Sequence, residues 1–150
     1  MNIKESFVIS EFFRQYTGTG YLCNNIFTSE NECDILLITD AKYSTEFEIK
    51  ITKSDFLADK KKELKHKKLI AGHSHNYFYY VLNECILSDT TLSEINEKYG
   101  VITFCLANDA IRFKYVRYPK KLKKEPQSDK FYNHFLKMCY LRFYKLFITK

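Results

Sequence analysis

The stretch S-T-E-F-E-I-K at residues 44–50, followed by Ile51, decides the fold that the sequence predicts. Successive side chains of a β-strand point to opposite faces, so this pattern separates polar from apolar side chains. One face carries Glu46, Glu48 and Lys50. The other face carries Phe47, Ile49 and Ile51. Residues 44–51 are therefore predicted to be a half-buried strand whose polar face holds two carboxylates and an amine.

Two further strands are predicted on the N-terminal side of this one. Residues 33–39 (C-D-I-L-L-I-T) form a short apolar run with Asp34 near its start, and residues 20–28 read as a strand before it. Residues 40–43 supply a turn. The three strands predict an antiparallel meander, in which facing side chains approach within about 5 Å. We therefore expect Asp34 to lie close to Glu48.

The rest of the chain predicts helices and more strands, which together give an α/β fold. Apolar residues recur at helical spacing in three segments: residues 4–16, a charged segment from an N-cap at Ser54 to about Leu69, and residues 128–148. A short helix is predicted at 91–98.

The aromatic run at residues 77–83 shows little alternation, which is typical of a strand buried on both faces. Because a helix separates it from the strand at 44–51, a parallel crossover connection is predicted. Residues 99–107 and 110–118 predict a C-terminal hairpin around Asn108-Asp109.

Composition indicates a single globular domain over residues 1–150, since 45% of the residues are hydrophobic. The five cysteines form no C-x-x-C pair, so neither a disulfide framework nor a zinc site is expected. The segment H-S-H at 73–75 is predicted to be a polar loop, because no partner lies at ligand spacing. No apolar run approaches the roughly 20 residues that span a bilayer, so we expect a cytoplasmic protein without membrane contact.

The net charge of +6 is unevenly distributed along the chain. Residues 1–50 carry a balance of −4, whereas residues 51–150 carry a balance of +10. An acidic patch beside a basic field suits an enzyme that collects a cation and a polyanion such as DNA. Lysine-rich helices are also ordinary solvated surfaces, so charge alone leaves both interpretations open.

The residues around the acidic strand match the needs of phosphodiester hydrolysis. Mg²⁺ prefers oxygen ligands and keeps several waters, so a site needs only one or two carboxylates and a carbonyl. Asp34, Glu48 and the backbone carbonyl of Ile49 are the predicted metal ligands. Lys50, on the same face as Glu48, is placed to meet the attacking water or the scissile phosphate. Glu46 is expected to be a surface residue.

At this point two motifs resemble a known superfamily. Asp34 with Glu48-Ile49-Lys50 resembles the core of the PD-(D/E)xK nucleases. The segments E-N-E-C-D-I-L-L-I (30–38) and E-F-E-I-K-I-T-K-S-D-F-L-A-D-K-K (46–61) resemble, more narrowly, the MmcB-like DNA-repair endonuclease family. The aromatic run from Tyr77 and the P-K-K-L stretch from Pro119 extend the resemblance over roughly residues 28–125. Cys33 stands where the superfamily name has proline.

The resemblance implies a restriction-endonuclease-like core and a deoxyribonuclease that uses Mg²⁺ or Mn²⁺ in repair, recombination or mobile-element biology. It implies a bacterial or phage-infected cell, and a homodimer is an expected assembly. By analogy with related nucleases, Glu11 of the first helix is a candidate metal-shell acid, with Glu30 and Glu32 as rivals. A nuclease fold kept as a DNA- or protein-binding module, with weak or no cleavage, is the alternative function.

Basic side chains after the strand are the predicted DNA contacts. They would bind phosphates and so position the duplex rather than read its sequence. They are Lys53, Lys60, Lys61, Lys65, His66, Lys67, Lys68, Lys120, Lys121, Lys123 and Lys124.

Overall fold

Six strands form one mixed sheet in the computed structural model, which describes residues 3–28 and 31–148. Along the sheet the strands keep their chain order: β1 Tyr21–Phe27, β2 Glu32–Ile38, β3 Ser44–Lys50, β4 Tyr77–Asn83, β5 Gly100–Ala107 and β6 Ala110–Arg117. The first three strands are antiparallel, β3, β4 and β5 are parallel, and β5 and β6 form a hairpin. The predicted meander, parallel crossover and hairpin are confirmed.

Helices pack on the sheet as the α/β prediction requires. They are α1 Glu5–Gln15, α2 Lys53–Lys60, α3 Glu63–Ile70, α4 Asp89–Glu94 and α5 Asp129–Ile148, with a 3₁₀ turn at Glu84–Ile86. The α4 segment begins and ends earlier in the chain than the helix predicted at 91–98. Within the described ranges, no helix has the length and apolar character needed to cross a membrane.

Both faces of the sheet are covered, which explains why β4 shows no alternation. Tyr79 and Val81 belong to a core shared with α1, where the Tyr79 ring stacks on Phe47 with centroids 5.2 Å apart. Phe78 and Tyr80 face the opposite core, built with residues of α2 and α3. Two parallel neighbours and two helical layers leave this strand almost no contact with water.

The polar face of β3 is buried rather than half-solvated. Glu46 and Glu48 are only 2% and 3% exposed, and Lys50 is 8% exposed. The crossover helices α2 and α3 cover this face, so the predicted surface position of Glu46 is wrong. Burial of charged groups requires charged partners close by, and these come from the same helices.

The charged segment after β3 forms two helices instead of the single one predicted from Ser54 to Leu69. Thr52 is the N-cap of α2, and it forms a capping box with Asp55. The helix is interrupted at residues 61–62, between α2 and α3. In one straight helix Asp59 and Lys65 would point about 120° apart, at roughly 100° per residue. The break lets both side chains face the sheet, where they are 1% and 6% exposed.

The position of this cap can be tested by two alanine substitutions. Thr52→Ala should lower the free energy of unfolding by about 1 kcal/mol, since it leaves the first-turn N–H groups without an acceptor. Ser54→Ala, at the residue that the sequence alone favoured, should change it by less than about 0.5 kcal/mol. Urea unfolding measures both. The opposite order would place the start of the helix at Ser54.

Candidate functional site

A fork between β2 and β3 positions Asp34. The two strands pair from Ile35–Ile38 against Ser44–Phe47. Beyond this ladder the carboxylate Oδ2 of Asp34 accepts the backbone N–H of Ile49 at 2.8 Å. A side chain thus replaces the backbone partner where the strands separate. The charges of Glu48 and Lys50 both act on this carboxyl group.

Glu48 lies at the centre of the site and accepts hydrogen bonds from two ammonium groups. Lys50 donates to its Oε1 at 2.7 Å, and Lys65 of α3 donates to its Oε2 at 2.9 Å. The sheet therefore brings together the three residues predicted for catalysis, Asp34, Glu48 and Lys50. It adds a fourth, Lys65, that the sequence placed elsewhere.

Lys65 was predicted to contact DNA, but it is buried among carboxylates. Its Nζ lies 3.1 Å from Glu46 Oε1 and 3.5 Å from Asp59 Oδ1, in addition to Glu48. Burial alone would lower the pKa of this amine, yet the three carboxylates outweigh it and raise the pKa. Lys65 is therefore a permanent cation inside the protein. Its side chain is not available to a phosphate at the surface.

The carboxylates outnumber the buried ammonium groups. Asp34, Glu46, Glu48 and Asp59 face two buried lysines, Lys50 and Lys65, while Lys62 reaches Asp59 from the surface at 3.1 Å. Fully ionised, the four acids exceed the two buried amines by two charges. Glu46 Oε1 and Asp59 Oδ1 also lack a well-aligned hydrogen bond. Such a cluster favours the uptake of protons or of a divalent cation.

The pKa shifts follow this imbalance. Burial and the charge of Glu48 raise the pKa of Asp34 to about 7, against the opposing effects of the Ile49 N–H and Lys50. Burial also raises the pKa of Glu46 to about 7, although Lys65 opposes it. Asp59 differs: burial is outweighed by hydrogen bonds from His66 and Tyr80 and by the nearby lysines, and its pKa is lowered.

Of the two acids on α1, Glu5 lies at the cleft beside Lys50, whereas the predicted candidate Glu11 is engaged on its own helix. Glu11 accepts hydrogen bonds from Arg14 at 3.0 and 2.7 Å and from Gln15. Glu5, in the first turn of α1, lines a cleft of about 230 Å³ with Lys50 and the Ile49 backbone. Glu5 is exposed, but partial desolvation at the cleft and the charge of Glu48 raise its pKa, against the effect of Lys50. Of the two rivals, Glu32 is exposed and Glu30 lies outside the described residues.

Most of the remaining predicted DNA contacts are at the surface. The exposed residues are Lys53, Lys60, Lys61, Lys67, Lys120, Lys121 and Lys124. Several of them have acidic or aromatic neighbours: Lys60 pairs with Glu94 at 2.7 Å, and Lys121 lies 4.2 Å from the centre of the Tyr43 ring. Lys68 and Lys123 are partly buried. Their contact with DNA stays a prediction.

His66 is engaged inside the protein instead of facing a phosphate. Its Nδ1 lies 3.0 Å from the Tyr99 hydroxyl, and its Nε2 lies 3.1 Å from the Asp59 carbonyl. The Tyr80 hydroxyl, 3.2 Å from the same nitrogen, donates to Asp59 Oδ2 at 2.7 Å. His66 thus helps to orient Asp59, and its predicted DNA contact is not supported by this position.

A second cluster of buried side chains lies on the other side of Lys65. Cys33, Glu46 and His75 place a thiol, a carboxylate oxygen and an imidazole nitrogen within 4.8 Å of one another. These three residues could hold a metal ion. Residues 73–75 do form a loop between α3 and β4, but His75 within it is buried, with 2% of its surface exposed. Sequence spacing could not reveal it, because the partners come from β2 and β3.

Lys65→Met should destabilise the fold by about 3–5 kcal/mol at neutral pH, because three buried carboxylates lose their shared cation. Methionine is unbranched and only one heavy atom shorter than lysine, so the loss reports mainly the charge. Lys67→Met is the matched control, because Lys67 and its partner Glu63 are both exposed. Chemical unfolding should show a change below about 0.5 kcal/mol for the control. Equal effects of the two substitutions would contradict the buried cluster.

Asp34→Asn should stabilise the protein in a pH-dependent way. Its amide oxygen still accepts the Ile49 N–H, but the variant cannot ionise. Since the folded pKa of about 7 exceeds the unfolded value near 4, the wild type loses stability as pH rises between them. With chelator present, the variant should match the wild type near pH 4 and exceed it by about 2 kcal/mol near pH 8, after allowance for solvent screening. A constant difference across this range would contradict the shift.

Comparison with known proteins supports the fold of this chain and identifies no activity. No family model and no curated protein matches the chain. A Silicibacter pomeroyi protein of unknown function has a similar structure, with a TM-score of 0.63 and 10% sequence identity. The alignment covers 97% of this chain and 91% of that one. At this identity the likeness supports the α/β arrangement alone.

Proposed function

We propose that the protein is a Mg²⁺- or Mn²⁺-dependent deoxyribonuclease that hydrolyses phosphodiester bonds. The observation that carries the proposal is the meeting of Asp34, Glu48 and Lys50 at the fork between β2 and β3, beside an open cleft. These residue types in this order also carry the resemblance to PD-(D/E)xK nucleases.

The donor set suits a hard divalent cation. Asp34, Glu48 and the Ile49 carbonyl offer oxygen atoms, which Mg²⁺ and Mn²⁺ prefer. Glu5 lines the adjoining cleft together with Ile49 and Lys50. The cluster's excess of two negative charges over its buried amines favours a dication at the same place. Such an ion, when bound, would neutralise phosphate charge and lower the pKa of a coordinated water.

The protein's own residues would divide the remaining work. The Ile49 N–H holds one oxygen of Asp34, which orients the carboxylate. Lys50 pairs with Glu48 Oε1 and lines the cleft. Its ammonium group would be placed to donate to the attacking water or to a phosphate oxygen. Lys65, with three carboxylate partners, would remain in place and preserve the cluster.

DNA is the favoured substrate because the second half of the chain is basic. Lys62 lines the same cleft as Glu5, and Lys53 and Lys61 are exposed nearby in sequence. A duplex cut on both strands needs two sites, and a homodimer would supply them. Exposed aromatic side chains on α5 offer a surface for it: Tyr140, Phe143 and Tyr144.

A second candidate function is a DNA-binding module that does not cleave. The observation in its favour is that both carboxylate oxygens of Glu48 already accept ammonium groups. If Lys50 holds its oxygen more strongly than a divalent cation does, the fold would keep the appearance of a nuclease without the activity. Salt-sensitive DNA binding without cleavage in either metal would identify this case.

A cleavage assay with labelled linear, nicked, flapped and four-way DNAs tests the proposal. The wild type should cut at least one of them in Mg²⁺ or Mn²⁺, and chelator should abolish the activity. Asp34→Ala, Glu48→Ala and Lys50→Ala should each reduce the rate by about 100-fold or more, since each removes a charge from the reacting centre.

Two substitutions in α1 sharpen the assay. Glu5→Gln should lower the rate, because Glu5 faces the cleft. Glu11→Gln is the matched control and should leave it unchanged, because Glu11 pairs with Arg14 on its own helix. Metal-dependent cleavage that survives both Asp34→Ala and Glu48→Ala would falsify the proposed site.

A further inference from the structure

We propose that Cys33, Glu46 and His75 form a second metal site, of a different chemical class, that takes Zn²⁺ or a similar borderline transition-metal ion. It lies beside the proposed nuclease cleft but shares no ligand with it. Cys33 is fully buried, and the other two residues are 2% exposed. A thiol, an imidazole and a carboxylate are the groups that protein zinc sites use.

The distances between the three ligand atoms fit one ion. His75 Nε2 lies 3.6 Å from Cys33 Sγ and 3.7 Å from Glu46 Oε2. Zinc bond lengths of about 2.3 Å to sulfur and 2.0–2.1 Å to nitrogen or oxygen, at tetrahedral angles, place sulfur and nitrogen about 3.5 Å apart and nitrogen and oxygen about 3.3 Å apart. Both distances from His75 Nε2 are therefore within a few tenths of an ångström of these values, and the Cys33 sulfur and the Glu46 carboxylate lie within 4.8 Å of one another.

The imidazole is already oriented for this role by its other nitrogen. His75 Nδ1 lies 3.1 Å from the Ser44 hydroxyl. The Ser44 hydroxyl also accepts the Gln127 side-chain N–H at 2.6 Å, and the backbone N–H of Asn76 donates to the Ser44 carbonyl at 3.1 Å. When Nδ1–H donates to Ser44, the Ser44 proton can turn to the Asn76 amide oxygen at 3.3 Å. The bare Nε2 then faces Cys33 and Glu46, as in metal-bound histidines.

Asn76 anchors this arrangement at a distance from the ligands. Its amide nitrogen donates to the carbonyls of Lys123 and Glu125, at 2.9 and 2.7 Å. The supporting shell therefore joins β3, the residues before β4 and the loop before α5. This is more support than a solvent-facing loop histidine would have.

A polar cavity gives the site access and a fourth ligand. It has a volume of about 250 Å³, and its lining includes Thr28, Asn31, Glu46, Lys65, His75 and Gln127. Water from this cavity can occupy the remaining tetrahedral position. Three protein ligands and one open position are typical of zinc sites that bind a further small ligand.

Charge and ligand type separate the two sites. The thiolate and carboxylate together neutralise a dication, which removes the main cost of burying it. Coordination displaces the thiol proton to solvent, since burial keeps free Cys33 protonated by raising its pKa. Thiolate sulfur disfavours Mg²⁺, whereas the oxygen ligands of the neighbouring cleft favour it.

Titration of the metal-free protein with Co²⁺ as a zinc probe tests the assignment. One equivalent should produce a thiolate-to-cobalt charge-transfer band and visible bands of tetrahedral cobalt. Zn²⁺ should abolish these bands, and a large excess of Mg²⁺ should not. Each of Cys33→Ser, Glu46→Gln and His75→Asn should weaken Co²⁺ binding by at least about tenfold, by analogy with supporting-residue effects.

The controls use residues of the same types elsewhere in the chain. Cys85→Ser and His134→Asn change exposed side chains and should leave the bands and the affinity unaltered. Asp34→Asn changes the proposed nuclease cleft and should also retain the bands. This readout is independent of cleavage, so failure of the nuclease proposal would not affect it.

X-ray absorption spectroscopy of the wild-type zinc complex tests the site even if the substituted proteins do not fold. It should show one sulfur neighbour at about 2.3 Å with nitrogen or oxygen ligands near 2.0 Å. Absence of sulfur coordination and of the charge-transfer band would overturn the proposal. A band that persists in Cys33→Ser would also overturn it.

Discussion

The rest of this structure depends on one buried ammonium group, that of Lys65. Carboxylates from β3 and α2 meet around it, with Glu48 Oε2 at 2.9 Å and Glu46 Oε1 at 3.1 Å. Isolated ionised carboxylates are too costly to bury, so the polar face of β3 could not be covered without such a cation. Lys65 is therefore the reason that α2 and α3 can pack on a strand whose inner face is charged.

Lys65 also divides the polar interior into two regions of different chemistry. On one side, Asp34, Glu48 and Glu5 offer only oxygen atoms. On the other side, Cys33 and His75 add sulfur and nitrogen, with Glu46 between them and the lysine. Both regions lie on one face of the sheet because side chains two residues apart on a strand, such as Glu46 and Glu48, point to the same face. Both carboxylates contact Lys65, but Glu48 also pairs with Lys50, whereas Glu46 also approaches His75.

Local patterns predicted the parts of this protein that depend on local physics. The alternation in β3 and the apolar run of β4 predicted that both segments are strands. The intervening helical segment predicted that the two strands are parallel. The expected proximity of Asp34 to Glu48 followed from antiparallel neighbours. Thr52 and Asp55 form a capping box, but Ser54 is also a favoured N-cap residue type, so the start of α2 was predicted two residues too late.

The parts that could not be predicted depend on contacts between distant segments. An acid on a strand is usually solvated, so nothing local indicated that Glu46 would be buried. In sequence, Lys65 does not differ from the exposed lysines around it. Its side chain faces the sheet only because the helix is interrupted between α2 and α3. Cys33 and His75 are 42 residues apart, beyond any ligand-spacing rule. Glu5 and Glu11 are both helix acids, and only the packing of α1 decides which one faces the cleft.

The ionic coupling between β3 and α3 also has a consequence for folding kinetics. Water can leave the β3 carboxylates only when Lys65 arrives, so dehydration of this face and docking of the crossover are one event. The β1–β3 meander has short connections and can form early, whereas the parallel β3–β4 pairing closes a longer loop. The rate-limiting barrier should therefore contain the docking of α3, and folding should slow as added salt screens this late attraction.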